Sequence, residues 1–197
     1  MKEDMNKNIK PKILVILGST REGRNGEKVA NNVMEVLAKR EDAEYELVDL
    51  KDYSLPLFED ATPPSVRTDA YEGVAGKWQK KIAEGDGFIF VTAEYNHSVP
   101  AALKNAIDYL FAEWQRKPMA VVSYGSIAGG SRAAEHLRMI AVELQMAPIR
   151  LGVHIPNVWA KFDEEGRISE SHFEDNVNAQ AEQLGWWTNA LKSAREA

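Results

Sequence analysis

The segment Leu17–Glu27 contains groups that suit the binding of a phosphate. It follows a run of branched apolar residues, Ile13–Leu17, and a helical pattern begins directly after it. Ser19 and Thr20 offer hydroxyls, Arg21 offers a guanidinium, and the turn offers backbone N–H groups. Such a turn ends at a helix N-terminus, where free N–H groups and the helix dipole favour an anion.

Two common nucleotide-binding motifs are excluded by the details of this segment. Gly18 and Gly23 have the spacing of a Walker A loop, but Arg24 and Asn25 follow where Lys and Ser or Thr would be needed. The dinucleotide fingerprint also fails, because Thr20 stands where that motif requires a second glycine. A site for one terminal phosphate and a plain surface turn with a helix cap remain as the two interpretations.

A second polar segment, at residues 92–98, reads Thr-Ala-Glu-Tyr-Asn-His-Ser. The Asn96 amide can donate and accept hydrogen bonds at the edge of a ring, and Tyr95 can cover a ring face. Backbone amides in this turn can bind ring carbonyl oxygens. The mixture suits a planar heteroaromatic ligand. The alternative interpretation is an ordinary turn in which Ser98 caps the following helix.

The elements that must position these segments alternate between strand and helix. This alternation implies right-handed crossovers and an α/β fold with a doubly wound parallel sheet covered by helices on both faces. The length favours a flavodoxin-like five-stranded sheet in the order 2-1-3-4-5. The predicted strands include Ile13–Leu17, Tyr45–Leu50, Phe88–Val91, Met119–Val122 and Ile149–Val153, and the predicted helices are marked by Val29–Leu37, Val74–Ala83, Ala102–Trp114, Leu137–Leu144 and Phe173–Leu191.

In such sheets a ligand lies beyond the carboxyl ends of the strands, at the point where the strand order reverses. Three connections therefore converge there, namely Gly18–Gly26, Thr92–Ser98 and Ser123–Arg132. A fourth connection, Ser54–Asp69, contains three prolines and is predicted to be irregular.

Composition limits the classes of function. With 197 residues, the chain fits one domain, which we place at 12–197 after a flexible lead-in at 1–11. The 24 Lys and Arg against 30 Asp and Glu argue against nucleic acid and an anionic membrane as partners. The absence of cysteine excludes thiolate chemistry and disulfides, and no apolar run is long enough for a membrane span. We expect a cytoplasmic protein that acts on a small molecule.

Together, the three convergent segments resemble the NADPH-dependent FMN reductase family. The resemblance runs from about Ile13 to Val153, and Glu94–Asp108 is its most specific part. Ala93 is one departure, because proline is common there in the family. The matching residues are Gly18, Ser19, Thr20, Arg21, Asn25 and Gly26; then Glu94, Tyr95, Asn96, Ser98, Pro100, Ala102, Leu103, Lys104, Asn105, Ala106 and Asp108; and finally Ser123, Gly125, Gly129, Gly130 and Arg132.

The resemblance implies that FMN binds with its phosphate on the first segment and its isoalloxazine ring against the second, with ring or ribityl contacts from the third. Ser19 and Arg21 would bind the phosphate, and Glu94 to His97 would hold the ring edge. No catalytic side chain and no metal are implied. The cofactor-binding residues would be Ser19, Thr20, Arg21, Asn25, Gly26, Glu27, Glu94, Tyr95, Asn96, His97, Ser123 and Gly125.

The implied reaction is a ping-pong hydride transfer from NADPH or NADH, with electrons passed on to quinones, azo compounds, free flavin or oxidised metal ions. The resemblance and the aromatic helix face at Leu110–Trp114 indicate a homodimer or homotetramer. Two alternatives remain, a flavodoxin-type electron-transfer protein without efficient NAD(P)H oxidation and a redox sensor. His136, His154 and His172 lack the spacing of metal ligands.

Overall fold

The computed structural model describes residues 10–197. The predicted lead-in at 1–11 therefore lies outside the described residues, apart from its last two positions. The strands are β1 (Lys12–Leu17), β2 (Glu44–Asp49), β3 (Gly87–Ala93), β4 (Pro118–Tyr124) and β5 (Ala147–Ile155), and the α-helices are α1 (Asn25–Leu37), α2 (Gly73–Glu84), α3 (Ala101–Asp108), α4 (Ser131–Glu143) and α5 (Phe173–Glu196).

The five strands form one parallel sheet in the order β2-β1-β3-β4-β5, which confirms the predicted flavodoxin-like topology. Helices α1 and α5 cover one face of the sheet, and α2, α3 and α4 cover the other. All seven residues of β3 and all seven of β4 are buried, because these central strands have helices on both sides.

The third helix is shorter than its apolar spacing predicts. It ends at Asp108, and the chain continues through turns in which the N–H groups of Leu110 and Trp114 bond to carbonyls three residues earlier. Both side chains are buried, and the indole of Trp114 packs with its centroid 4.9 Å from the ring of Phe88. Leu110 and Trp114 therefore belong to the core and are not available for the predicted subunit contact.

The connection after β2 is irregular, as predicted, apart from two short 3-10 turns at Leu50–Tyr53 and Pro64–Val66. The side chain of Asn105 in α3 holds this connection in place through two hydrogen bonds. Its amide donates to the carbonyl of Pro56 at 2.8 Å, and its carbonyl accepts from the N–H of Phe58 at 2.9 Å. The connection is thereby held beside the carboxyl edge of the sheet.

Candidate functional site

Strand pairing brings the three predicted segments together. Leu17 at the end of β1 lies opposite Val91 in β3, and Ala93 lies opposite Tyr124 at the end of β4. The N–H of Gly18 bonds to the carbonyl of Val91 at 2.9 Å, so the first segment begins against β3. The segments consequently share one edge of the sheet, at its switch point.

A hydrogen bond between two hydroxyls joins the first segment to the second. The Oγ of Ser19, which is fully buried, lies 2.7 Å from the Oη of Tyr95. The guanidinium of Arg21 lies 5.7 Å from the centroid of the Tyr95 ring and is exposed, as is the neighbouring Thr20. Of the predicted phosphate ligands, Ser19 is thus anchored in the protein, whereas Arg21 and Thr20 face the open edge.

The N-terminus of α1 is free of a side-chain cap. Arg24 occupies the N-cap position, and no side chain among residues 10–197 accepts a hydrogen bond there. In the first turn, Gly26 is buried, Asn25 is half-buried and Glu27 is exposed. Helix N-termini carry unsatisfied N–H groups and partial positive charge. The surface-turn interpretation predicted a capped helix, so the uncapped end favours an anion site.

Arg24 has a role that the sequence did not reveal. Its side chain is only 5% exposed, and its guanidinium donates to both carboxylate oxygens of Asp49, one of them at 2.9 Å. The same group donates to the backbone carbonyl of Ser19. Arg24 therefore ties the first segment to the end of β2 and is not available to a ligand.

The second segment makes a tight turn. Tyr95 and Ser98 exchange backbone hydrogen bonds of 2.9 and 3.0 Å, and the two residues between them, Asn96 and His97, have φ of 50° and 69°. Positive φ at both central positions is the requirement of a type I′ turn. Asn96 and His97 are exposed, and their N–H groups have no acceptor in the described part of the chain.

Ser98 does not cap the third helix, which excludes that alternative interpretation. Pro100 occupies the N-cap position of α3, and the hydroxyl of Ser98 lies 3.0 Å from Nδ1 of His136. The second segment is consequently fixed by its own turn and by a contact with α4.

Glu94 is directed toward the start of α4. Its carboxylate accepts from the backbone N–H of Arg132 at 3.2 Å and from the Nε of the same residue at 2.5 Å. The side chain of Glu94 is 7% exposed. The backbone N–H of Glu94 bonds to the carbonyl of Tyr124 at 3.2 Å. The predicted contact of Glu94 with a ring edge would therefore have to come from its backbone carbonyl, while its carboxylate joins the second segment to the third.

The third segment is held together by its own side chains and by β5. The hydroxyl of Ser123 is buried, donates to the carbonyl of Gly129 at 2.8 Å and lies 2.7 Å from Nδ1 of His154. Since a hydroxyl has one proton, Nδ1 of His154 must be the donor in the second contact. Burial and the nearby Arg138 hold the pKa of His154 below its usual value.

Glycine is required at the start of α4. Gly130 has a φ of 81°, and a Cβ at this position would lie 2.8 Å from the Cβ of Ser123 and from the backbone N of Tyr124. Gly125 uses its N–H and its carbonyl in bonds to Ile155 and Val158. Ser123 and Gly125 thus shape the third segment, and direct ligand contact by either residue stays a prediction.

A cleft beside the first segment was not predicted. It encloses about 290 Å³ between the 3-10 turn after β2 and helix α3, and Thr20 is the one predicted site residue in its wall. Its other lining residues are Leu50, Lys51, Ser54, Leu55, Ala102, Asn105 and Ala106.

Residues 10–197 contain neither a metal-ligand cluster nor a membrane-spanning helix. No group of three or more His, Cys, Asp or Glu within this range is placed to hold a metal ion. None of the helices described in this range is both long enough and apolar enough to cross a membrane.

The sheet topology and the loops at its switch point define a flavodoxin-like protein. A profile of the NADPH-dependent FMN reductase family matches residues 11–160. An NAD(P)H-dependent FMN reductase from Schizosaccharomyces pombe is 40% identical over 151 residues, which are 75% of each chain. An NAD(P)H:quinone oxidoreductase from Solanum tuberosum is 32% identical over 180 residues, which are 85% of this chain and 88% of the relative.

The fold is also found in a solved structure of low sequence identity. The flavoenzyme FerB, an NAD(P)H:(acceptor) oxidoreductase from Paracoccus denitrificans, matches with a TM-score of 0.72 and 21% identity over 91% of this chain and 98% of the other. The present chain belongs to the NADPH-dependent FMN reductase family. The resemblance in its sequence is confirmed, as are the expectations of an oxidoreductase with FMN as cofactor and NAD(P)H as co-substrate.

Proposed function

We propose that this protein is an FMN-dependent NAD(P)H oxidoreductase that reduces quinones, azo compounds, free flavin or oxidised metal ions in a ping-pong reaction. The observation that carries the proposal is the uncapped N-terminus of α1 beside the bonded pair Ser19 and Tyr95. A helix N-terminus without a side-chain cap and an aromatic side chain lie together at the switch point of the sheet, and this supports the binding of a mononucleotide with a planar ring.

The first segment fits the phosphate of FMN. The N–H groups of Asn25, Gly26 and Glu27 lie in the first turn of α1, where the helix dipole favours negative charge. Arg21 is exposed at the same edge and can supply a charge-assisted hydrogen bond. Ser19 is held by Tyr95, so its hydroxyl position is fixed before a ligand arrives.

The second segment fits the edge of the isoalloxazine ring. The N–H groups of Asn96 and His97 in its tight turn have no acceptor among residues 10–197, and these can donate to ring carbonyl oxygens. Donors of this kind, held by a fixed turn, stabilise negative charge that develops on a ring. Tyr95 lies between the two loops and can limit access of water to the ring.

When bound, FMN supplies hydride acceptance from NAD(P)H and electron donation to the second substrate. The chain itself supplies binding, orientation and hydrogen-bond donors. We assign no side-chain nucleophile and no dedicated proton donor. Ser19, Arg21 and the turn at residues 95–98 would hold and orient the cofactor at the carboxyl edge of the sheet.

We also propose that the protein is a homodimer or homotetramer. A shallow groove of about 560 Å³ runs between α3 and α4 and is lined largely by apolar atoms. It begins at Ser98, directly beside the proposed ring-edge turn, and includes Met139, which is 73% exposed. Light scattering of the purified protein tests the assembly, and Met139→Lys is expected to shift it toward the monomer.

Kinetics under low oxygen separate the proposed enzyme from a flavodoxin-type electron carrier. The FMN-loaded protein is mixed with NADPH or NADH and a soluble quinone, and oxidation of the nicotinamide is followed by absorbance. We expect sustained turnover, with rates that depend on both substrates in the parallel-line pattern of a ping-pong reaction. Retention of FMN with negligible turnover would identify a carrier instead.

A further inference from the structure

We propose that the hydroxyl of Tyr124 is a neutral hydrogen-bond donor to the phosphate of FMN, beneath the first turn of α1. The inference rests on the proposed function. It assigns to the site a residue at the end of β4, whereas the first segment follows β1.

The side chain of Tyr124 is enclosed but its hydroxyl is unused. The residue is 5% exposed, and its Oη has no hydrogen-bond partner among residues 10–197. A buried hydroxyl without a partner is destabilising and uncommon in folded proteins. A ligand that supplies an acceptor at this position would remove that deficit.

The position of the hydroxyl points to the N-terminus of α1. A Cβ built on Gly26 would lie 2.2 Å from the Tyr124 Oη, so this oxygen lies directly against the backbone of the first helical turn. Because Gly26 has no side chain, the hydroxyl of Tyr124 can occupy the space beside it. The hydroxyl therefore lies against the backbone of the first turn of a helix whose N-terminus has no side-chain cap.

The neighbouring side chains leave the hydroxyl free for a ligand. The guanidinium of Arg24 is occupied by Asp49 and by the carbonyl of Ser19. The hydroxyl of Ser19 bonds to that of Tyr95 and forms no hydrogen bond with Tyr124. Arg21 is exposed and can reach the same anion from the solvent side.

The hydroxyl also has the protonation state that a donor needs. Burial is the main cause that raises the pKa of Tyr124, the nearby Tyr95 raises it further, and Arg24 and Arg21 act in the opposite direction. At neutral pH the group is therefore an O–H. It can donate to a phosphate oxygen without adding a charge to the interior.

The test compares Tyr124→Phe with wild type, using apoprotein titrated with FMN and the 31P resonance of the bound cofactor. Tyr71→Phe is the matched control, because Tyr71 also has a buried hydroxyl without a partner but lies in the connection after β2. We expect the dissociation constant of FMN to rise about tenfold in Tyr124→Phe. We also expect a shifted 31P resonance, no loss of apoprotein melting temperature, and no change in either binding readout for Tyr71→Phe.

Unchanged FMN affinity in Tyr124→Phe would overturn the inference. Weaker binding with an unchanged 31P resonance would also overturn it, because the lost contact would then lie away from the phosphate. A lower melting temperature of the apoprotein would mean that the hydroxyl already has a partner in the folded chain, and would count against the inference. Wild-type protein that takes up no FMN would contradict the proposed function itself, a result distinct from all of these.

Discussion

The guanidinium of Arg24 and the carboxylate of Asp49 form a bidentate hydrogen-bonded pair that joins the first segment to the end of β2. A third bond from Arg24 fixes the carbonyl of Ser19. Because the arginine side chain is almost completely buried, its charge is compensated mainly by this carboxylate. The pair sets the path of the backbone from Ser19 to the start of α1.

Arg24→Ala is expected to lower the free energy of unfolding by about 1.5–3 kcal/mol, since it removes charge-assisted bonds and leaves Asp49 without its partner. The free energy of unfolding of Arg24→Lys is expected to lie between those of wild type and Arg24→Ala, because a lysine ammonium cannot form two parallel hydrogen bonds to the carboxylate. Urea denaturation measures both. The control is Arg167→Ala, which removes an arginine from an exposed pair with Asp163 and should have the smaller effect. Equal effects at positions 24 and 167 would refute the proposed anchoring role.

Gly26 and Tyr124 are expected to be energetically coupled. Gly26→Ala places a methyl group within 2.2 Å of the Tyr124 Oη and should cost about 1–3 kcal/mol of stability through overpacking. In the Tyr124→Phe background the oxygen is gone, so the same substitution should cost less. Contacts of 2.9 Å to Leu17 and 3.0 Å to the ring remain. A double-mutant cycle by urea denaturation tests this, and strictly additive costs would show that the two residues do not touch.

Lys117 makes stability depend on pH. It is 8% exposed, and burial, followed by repulsion from Arg195, lowers its pKa to about 8. The unfolded chain, with a lysine pKa near 10.5, binds more protons between pH 8 and 10.5. Stability should therefore rise with pH across that window, by about 3 kcal/mol from this group.

The measurement is urea denaturation of wild type and Lys117→Met at several pH values from 7 to 10.5. In Lys117→Met, the free energy of unfolding should rise less with pH, because the contribution of Lys117 is missing. Lys39→Met, which changes an exposed lysine, should show the same rise of the free energy of unfolding with pH as wild type. Parallel pH profiles for wild type and Lys117→Met would be incompatible with a buried lysine that loses its proton in this range.

The strands and their order were predictable because the central strands are buried on both faces. A run such as Phe88–Val91 is continuously apolar for that reason, and the Gly-rich and polar connections that follow strands mark the carboxyl edge. The end of α3 was not predictable from spacing. Leu110 and Trp114 continue the helical period, yet they reach the core through turns after Asp108.

The local structure of the candidate site was predictable where it depends on one segment. The helix end after the first segment and the turn at Tyr95–Ser98 carry local signals, and both are formed. The pairing of Arg24 with Asp49 and the approach of Tyr124 to Gly26 depend on which strands become neighbours and on how far a side chain reaches across the sheet. No local pattern in the sequence records such contacts, and the engagement of the Glu94 carboxylate by Arg132 was missed for the same reason.

The most direct test of the central claim is a titration of apoprotein with FMN, made with wild type, Arg21→Ala and Lys39→Ala. Wild type is predicted to bind one FMN per chain. Arg21→Ala is predicted to bind it more weakly by about 1.5–3 kcal/mol, because a charged phosphate donor is lost. Lys39→Ala removes a positive charge at the opposite end of α1 and should bind as wild type does. A wild-type protein that binds no FMN, or an Arg21→Ala variant with unchanged affinity, would contradict the assignment of the first segment as the phosphate end of the cofactor site.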